Sequence, residues 1–510
     1  MRYVVNSEQM RAIDQYSIEQ VGIPAMVLME KSALSVASVM MEKVSRSDRI
    51  LAVCGTGNNG GDGIASARIL KEEGFQVEVL IIGDEKRATE QTKNQLRIAR
   101  NLGVSILNTA KVSEYNVIID AIFGIGIKKT VAGAFEAVIN SINEANNTVF
   151  SVDVPSGINS NDGKIMNVAV KADYTITFGY HKFGTILYPG CEYAGKIIVA
   201  DIGFPKNYHK KFPLSTFIFE SEDISLLPER RNYSNKGSFG RVLIIAGSRN
   251  MSGACYLSAK SAYRSGAGLV KVLTVKDNRN IMQTLLPEAL LATYDPLNLK
   301  NKMEMDRIVS EIKWATTVVI GPGIGIMNSS ECLLDIVLNH TDVPVLIDAD
   351  GLTMLSGKEK YIKKVSEENK DFEINLPDNV IITPHLKEME RLTNLPVEQI
   401  SEQIVDIAKT ITKNKSFVLA LKDARTVVTN GEQTYINISG NNGMATGGSG
   451  DVLTGIIAAF LAQGMEKFVA TALGVYVHGL AADYAVKGKS TYALMASDIA
   501  EALPYILLNK

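Results

Sequence analysis

GNNGMATGGSGDVLTG, residues 440–455, decides how this chain is read. Five of its first eleven residues are glycine, and the run VLTGIIAAFLAQ (452–463) that follows is apolar enough for a buried helix or strand. A backbone without Cβ atoms turns sharply and lets its N–H groups approach a ligand closely. If a helix begins near Asp451, its unpaired first N–H groups and positive dipole end face the loop and favour an anion such as phosphate there. Asp451 then stands at the mouth of an anion site; the plainer alternative is that it only caps the helix.

At 510 residues the chain is too long for one core and is expected to form two large domains. Lys+Arg 53 against Asp+Glu 55 leaves a formal charge of −2. No basic field therefore points to nucleic acid or an anionic membrane, and the expected partners are small molecules. Cys54, Cys191, Cys255 and Cys332 lie far apart with no CxxC spacing, which gives neither a zinc site nor a disulfide framework and suits a reducing compartment. The N-terminal residues lack the apolar core of a signal peptide, and no stretch reaches the ~18 apolar residues of a membrane span. A cytoplasmic protein is expected, assembled as a homo-oligomer.

Residues 6–45 pattern as two helices around the break Gly22-Ile-Pro24. Short β-branched runs follow at 49–54, 76–82, 104–107, 116–120 and 147–155, separated by helical stretches. Continuous apolar strands alternating with helices require a parallel sheet covered on both faces. The rhythm is lost over 206–235 and resumes with strands at 241–247, 268–274, 316–323, 343–350, 379–385 and 416–421, before closing helices at 453–463, 468–486 and 496–508. The expected fold is α/β, with two three-layer α/β/α domains at 1–213 and 225–510.

The first strand runs into GTGNNGGDG (55–63), with a helix expected from Ile64. Gly55, Gly57 and Gly60 satisfy GxGxxG, and Asp84 sits where a ribose-binding acid would, which suggests a dehydrogenase. The chemistry argues otherwise: a carboxylate at Asp62 beside the glycines would repel a pyrophosphate. Asn58, Asn59 and Asp62 instead offer hydrogen bonds and hard oxygens suited to a cation. Asp120 and Asp153 each end an apolar strand, where a charge is costly unless paired, hydrogen-bonded or bound to metal. Either alone reads as a cap or turn; together with the asparagine loop they would meet at the carboxyl edge of one sheet, where open α/β folds bind ligands.

GTGNNGGDG, DAIFGIG (120–126) and VDVPSG (152–157), with LMEKSA (28–33) before them and YPG (188–190) and AGKIIVADIGFP (194–205) after, resemble the NAD(P)H-hydrate epimerase domain. The resemblance covers residues 1–210. It implies a Rossmann-like domain that interconverts the R and S forms of hydrated NADH or NADPH. It also implies a potassium ion held by Asn59, Asp120 and Ser156, and substrate contacts from Asn58, Asn59, Gly60, Gly61 and Asp62, from Gly124, Ile125, Gly126, Ile127, Lys128, Lys129 and Thr130, and from Asp153. Epimerisation needs a group that accepts and returns a proton, and Asp153 is the better candidate because the cation would occupy Asp120.

In the second half, GPGIG (321–325), IDADGL (347–352), TPHLKEMERL (383–392), LKDART (421–426) and the opening loop each follow a strand. His385 there is either structural or part of a site, and Lys422 either a solvated strand end or a phosphate partner. These motifs resemble the NAD(P)H-hydrate dehydratase domain, a ribokinase-like fold, over 225–510. The resemblance implies that Asp451 takes the proton from the ring hydroxyl as it attacks the terminal phosphoryl group of ADP, which arrives with Mg2+, while the Gly448–Gly450 amides hold the transferring phosphate. Nucleotide contacts would come from Lys422, Asp423, Ala424, Arg425, Thr426, Thr446, Gly447, Gly448, Ser449 and Gly450, and contacts to the hydrate from Ala254, Gly325, His385 and Asp451. Two positions depart from the family pattern. Leu386-Lys387 stand where Pro-Gly is usual, and Asp423 stands where Gly is usual; if that Gly has φ > 0 or lies close to phosphate, Asp423 brings strain and repulsion. The glycine loop alone leaves open a small-alcohol kinase with an accessory domain, and a nucleotide sensor without turnover.

Overall fold

Val, Ile and Leu runs in the first two-fifths of the chain form a fully parallel sheet in the computed structural model, which describes residues 1–206, 208–299, 301–364 and 372–508. Its strands lie in the order Ser105–Leu107, Gln76–Ile81, Arg49–Cys54, Val117–Ala121, Thr148–Val152, Tyr174–Phe178 and Lys196–Ala200. Central strands such as Val117–Ala121 are buried along their whole length. Helices cover both faces, Ala25–Met41, Asn58–Glu72 and Glu90–Asn101 packing on one core and Ala134–Glu144 on the other. The Gly22-Ile-Pro24 break separates Ala25–Met41 from Ser7–Gln15, whose last turn widens to a π-turn over Tyr16–Gln20. This unit spans Arg2–Thr216, and a second begins at Phe217.

The second unit repeats the design, with strands in the order Leu290–Tyr294, Leu269–Val275, Arg241–Ile245, Thr317–Ile320, Val345–Ile347, Val380–Ile382 and Val418–Leu421, all parallel. Two further strands, Val427–Thr429 and Thr434–Ile436, run antiparallel, which corrects the expectation of a purely parallel sheet. The cause is local: Asn430 accepts hydrogen bonds from the N–H groups of Glu432 and Gln433, and Gly431 takes φ +88°, so Asn-Gly makes a tight hairpin. The expectation that no stretch suits a membrane also needs correction. Lys467–Gly488 is long and apolar enough, with mean hydropathy 1.3, but two-thirds of it is buried inside the unit, as for a core helix.

In both sheets the chain order reverses next to the first strand of the series, which leaves a crevice at the carboxyl ends. The switch lies between Arg49–Cys54 and Val117–Ala121 in one unit, and between Arg241–Ile245 and Thr317–Ile320 in the other. The Gly55 N–H donates to Ala121 O at 3.0 Å, and the Gly247 N–H to Pro322 O at 2.8 Å, tying the loops across each switch. The helix expected from Ile64 instead begins at Asn58, so the asparagines and Asp62 ride on its first turns. Glycines that would weaken a helix are needed here because it lies directly on the preceding loop. A Cβ on Gly60 would stand 1.9 Å from Gly55 O. Gly60→Ala should therefore cost ~1–3 kcal/mol by overpacking and lower the first unit's melting temperature, as read by thermal unfolding.

Candidate functional sites

The first crevice opens into a cavity of about 950 Å3. Asn58, Asn59 and Asp62 line it from the helix start, the whole Gly124–Thr130 run lines another side, and Asp153 lies within it. Gly60 and Gly61 do not line it. A Cβ on them would meet the Gly55 carbonyl and the Met29 and Thr92 side chains, so their lack of a side chain serves packing. Asp14 and Lys182, which sequence reasoning passed over, are also in the wall.

Behind the cavity, Asp120 is fully buried and accepts from Ser151 Oγ at 2.7 Å and the Ser156 N–H at 2.8 Å. Burial still pushes its pKa up, against those hydrogen bonds. Asn59 Oδ1 and Nδ2 are buried without a hydrogen-bond partner among the described residues, and a Cβ on Gly124 would lie 3.3 Å from Asn59 Oδ1. The Asn59 amide oxygen, the Asp120 carboxylate and the Ser156 hydroxyl would supply oxygen donors of net charge −1, chemistry that suits a hard monovalent cation.

Asp153 follows its strand at φ +67°, a left-handed conformation rare for a residue with a side chain. Its Oδ1 accepts from Lys182 Nζ at 2.5 Å, Thr177 Oγ1 at 3.1 Å and the Phe178 N–H at 3.1 Å. Lys182 has no exposed side chain; its other donors reach Thr177 Oγ1 and Phe178 O, both at 2.9 Å, and burial lowers its pKa against the pull of Asp153. Its only sequence signal was a cation two residues after the buried strand end Phe178-Gly-Tyr. Asp62 is the opposite case. Its carboxyl accepts no hydrogen bond among the described residues, and burial, then Asp153 and Asp14, push its pKa well up.

In the second unit the opening loop leads into the helix Ser449–Ala462, with Gly448 at φ +88° as the residue before it. Asp451 is the third helical residue and does not cap: its carboxyl accepts no hydrogen bond among the described residues. Burial, then Asp348, raise its pKa to about 7, with Lys422 opposing. A Cβ on Gly448 would strike Leu257, whereas Gly447 faces open space. Beneath the loop Ser449 Oγ lies 3.4 Å from the buried His478, whose pKa burial lowers to about 3.

Asp348 was missed as a functional side chain, although it ends an apolar strand just as Asp120 and Asp153 do. It is 2% exposed and accepts from Lys422 Nζ at 2.7 Å, Thr383 Oγ1 at 2.8 Å and Thr454 Oγ1 at 3.0 Å. Lys422 is thus fixed by a carboxylate and aimed at the loop: a Cβ on Gly450 would lie 3.5 Å from its Nζ. Asp350 accepts from the Gly325 N–H at 2.8 Å, across the strained Ala349 at φ +52°. Ala254 lies on the helix Ser252–Arg264 and packs beside Gly323. Thr426 donates to Asp423 O at 3.2 Å and so closes the Lys422–Thr426 turn on itself.

His385 caps the helix Leu386–Thr393, its Nδ1 accepting from the N–H groups of Lys387 and Glu388. With Nδ1 so engaged, Nε2 carries the hydrogen; it lies 3.5 Å from Glu388 Oε1, and 51% of the side chain is exposed. Capping and ligand contact are therefore compatible. The backbone accommodates Leu386 and Asp423. Leu386 occupies the first helical position, where Pro is tolerated because the N–H has no helical partner, so no hydrogen bond depends on the change. Asp423 is not among the described non-glycine residues with positive φ, so the expected backbone strain is absent.

Residues 242–505 match the family model described as NAD(P)H-hydrate dehydratase, and residues 25–184 match that of the YjeF-related protein N-terminus. The bifunctional NAD(P)H-hydrate repair enzyme of Thermofilum pendens is 33% identical over 99% of this chain and 96% of its own length. That of Moorella thermoacetica is 34% identical over 99% of this chain and 97% of its own. A hypothetical protein of Streptococcus mutans is 28% identical in its crystal structure, covering 57% of this chain and 99% of its own, with a TM-score of 0.50. Both halves are matched in order and relatives are matched along almost their whole length: the chain belongs to the family of bifunctional NAD(P)H-hydrate repair enzymes.

Proposed function

We infer that this chain repairs hydrated NADH and NADPH. The first unit interconverts the R and S hydrates, and the second dehydrates the S hydrate with ADP as co-substrate, releasing AMP and phosphate. The observation that carries the reading is the presence, in one chain, of two sheet-edge sites with complementary chemistry. One is a carboxylate-lined cavity; the other is a glycine cradle with a carboxylate that accepts no hydrogen bond among the described residues and an aimed lysine.

In the second site Asp451 takes the proton of the ring hydroxyl while that oxygen bonds to the terminal phosphorus of ADP and the bond to AMP breaks. The amides of Gly448–Gly450 and the Lys422 ammonium stabilise the charge on the transferring group. Phosphate, a far better leaving group than hydroxide, then departs as the neighbouring ring carbon loses a proton, and the reduced nicotinamide is restored. Lys422–Thr426 and Thr446–Gly450 line the nucleotide, which arrives as its magnesium complex, and Ala254, Gly325 and His385 contact the hydrate. Because the base must be ionised, kcat/KM for dehydration should fall as pH drops below about 7, the value to which burial raises Asp451. A flat profile from pH 6 to 8 would remove Asp451 from that role.

In the first site Asp153 serves as the base and Lys182 supplies its fixed counter-charge. A potassium ion held by Asn59, Asp120 and Ser156 would offset the buried Asp120 charge and fix the Asn59 side chain. The net charge of −2 supports small-molecule ligands over nucleic acid or an anionic membrane. A cytoplasmic location and a homo-oligomeric assembly belong to the same reading. Incubating an R and S hydrate mixture with the protein and ADP, and following the return of reduced-nicotinamide absorbance, tests the whole. No return with ADP or ATP sinks the repair reading. Turnover of a different alcohol to a stable phosphate ester would make the second unit a kinase.

A further inference from the structure

Water added to the enamine double bond of a reduced nicotinamide leaves the hydroxyl on the carbon bonded to the ring nitrogen. That carbon is a hemiaminal centre, and its C–H has no neighbouring group to stabilise a carbanion. Inversion by removing that hydrogen as a proton is therefore chemically unfavourable, whereas hemiaminals open and close readily when one group removes the hydroxyl proton and another protonates nitrogen. Of the three carboxyl groups in the first cavity's wall, Asp14, Asp62 and Asp153, the last two have opposite surroundings: Asp153 is held by donors and Asp62 by none among the described residues.

We propose that epimerisation runs by opening and reclosing the hydrated ring, with Asp153 as the base on the ring hydroxyl and Asp62 as the acid that protonates the ring nitrogen. The proposal rests on the epimerase reading of the first unit. Asp153 Oδ1 is held by three donors, Lys182 among them, while Oδ2 accepts no hydrogen bond among the described residues and is left for substrate. Asp62 lies in the same cavity wall, 9% exposed, and receives no donor at all among the described residues. Burial without donors, together with the carboxylates of Asp153 and Asp14, pushes the Asp62 carboxyl toward its protonated form. The carboxyl held by an ammonium and two further donors is placed as the base, and the one without donors as the acid.

The step balances within the substrate and these two side chains. Asp153 takes the hydroxyl proton, the carbon–oxygen bond becomes a carbonyl, the carbon–nitrogen bond breaks with its electron pair going to nitrogen, and Asp62 gives its proton to that nitrogen. The open chain carries an aldehyde that rotates about its single bond to the next carbon. Reclosure on the opposite face returns one proton to Asp62 and the other to oxygen. Lys182 is a positioning residue: it touches Asp153 and not the reacting atoms.

The hydrogen on the inverting carbon never leaves in this route, so its isotope reports the mechanism. Wild-type protein equilibrating pure R hydrate in D2O should yield S hydrate with protium retained at that carbon, read by proton NMR; deuterium there would overturn the proposal. Asp62→Asn should slow epimerisation at least ~100-fold while ADP-dependent dehydration of pure S hydrate keeps its wild-type rate. Asp62→Glu should recover part of the loss, which a merely structural role would not require. Undiminished epimerisation by a folded Asp62→Asn would overturn the acid assignment. Wild-type protein that fails to epimerise at all would instead overturn the epimerase reading, so the two failures are distinct, and the isotope result stands even if Asp62→Asn does not fold.

Discussion

Asp451→Asn is expected to lower the ADP-dependent return of reduced-nicotinamide absorbance from pure S hydrate by ~10²–10⁴-fold, the usual worth of a positioned general base. The change keeps the side chain's volume and the helix start. Asp451 makes no capping bond that Asn would lose, since no side-chain cap bonds the first turn of Ser449–Ala462. What goes is the ability to receive a proton. Asn also removes a negative charge from a site that already holds the buried Asp348, so the KM for ADP should stay level or fall while kcat collapses. That split separates loss of a base from loss of binding. A variant that binds ADP as before and dehydrates at an undiminished rate would return Asp451 to a structural role, and the second unit would then need another base. R-to-S conversion belongs to the other unit's residues and should persist in the same preparation.

The long parallel strands were legible because strands covered on both faces must be almost wholly apolar, as residues 50–54 and 117–119 are. Of the shorter or half-exposed strands, Ser105–Leu107 was found but others carried no such signal. Lys196–Ala200 is only partly buried and reads as ordinary surface chain, and Val427–Thr429 with Thr434–Ile436 was visible only through the Asn-Gly between them. The start of Asn58–Glu72 was misplaced because glycine opposes helix on propensity, and only the tertiary contact of Gly60 with the Gly55 carbonyl reverses that preference. In the sites, the sequence motifs named Asp153 and Lys422 but not the side chains that hold them. Lys182 and Asp348 act through Asp153 and Lys422, and nothing in their own neighbourhoods announces partners 29 and 74 residues away. Asp348 was reachable in principle: the cost of a carboxylate at an apolar strand end, applied to Asp120 and Asp153, applies equally to it.

Asp153→Asn should leave a mixed hydrate repaired only in part, with a fast phase whose amplitude equals the S share and a remainder limited by spontaneous epimerisation, a loss of ~10²–10⁴-fold in R conversion. The single variant is open to a simpler explanation, because it strands the fully buried Lys182 ammonium without its counter-charge. Breaking a buried pair on one side costs about 3–5 kcal/mol, whereas replacing both partners by uncharged groups of similar size is often neutral. For a unit of this size such a loss lowers the melting temperature by roughly 10 °C. Asp153→Asn combined with Lys182→Met therefore discriminates. If Asp153 is the base, the double variant regains the lost stability and still fails to convert R hydrate, and wild-type protein added to the stalled mixture completes the reaction. If the charge pair serves only to hold the sheet edge, stability and epimerisation return together, and the base must be sought elsewhere in the cavity. Because a purely structural pair and a catalytic one respond alike to the first substitution and oppositely to the second, the melting curve and the R-phase amplitude have to be read on the same two proteins.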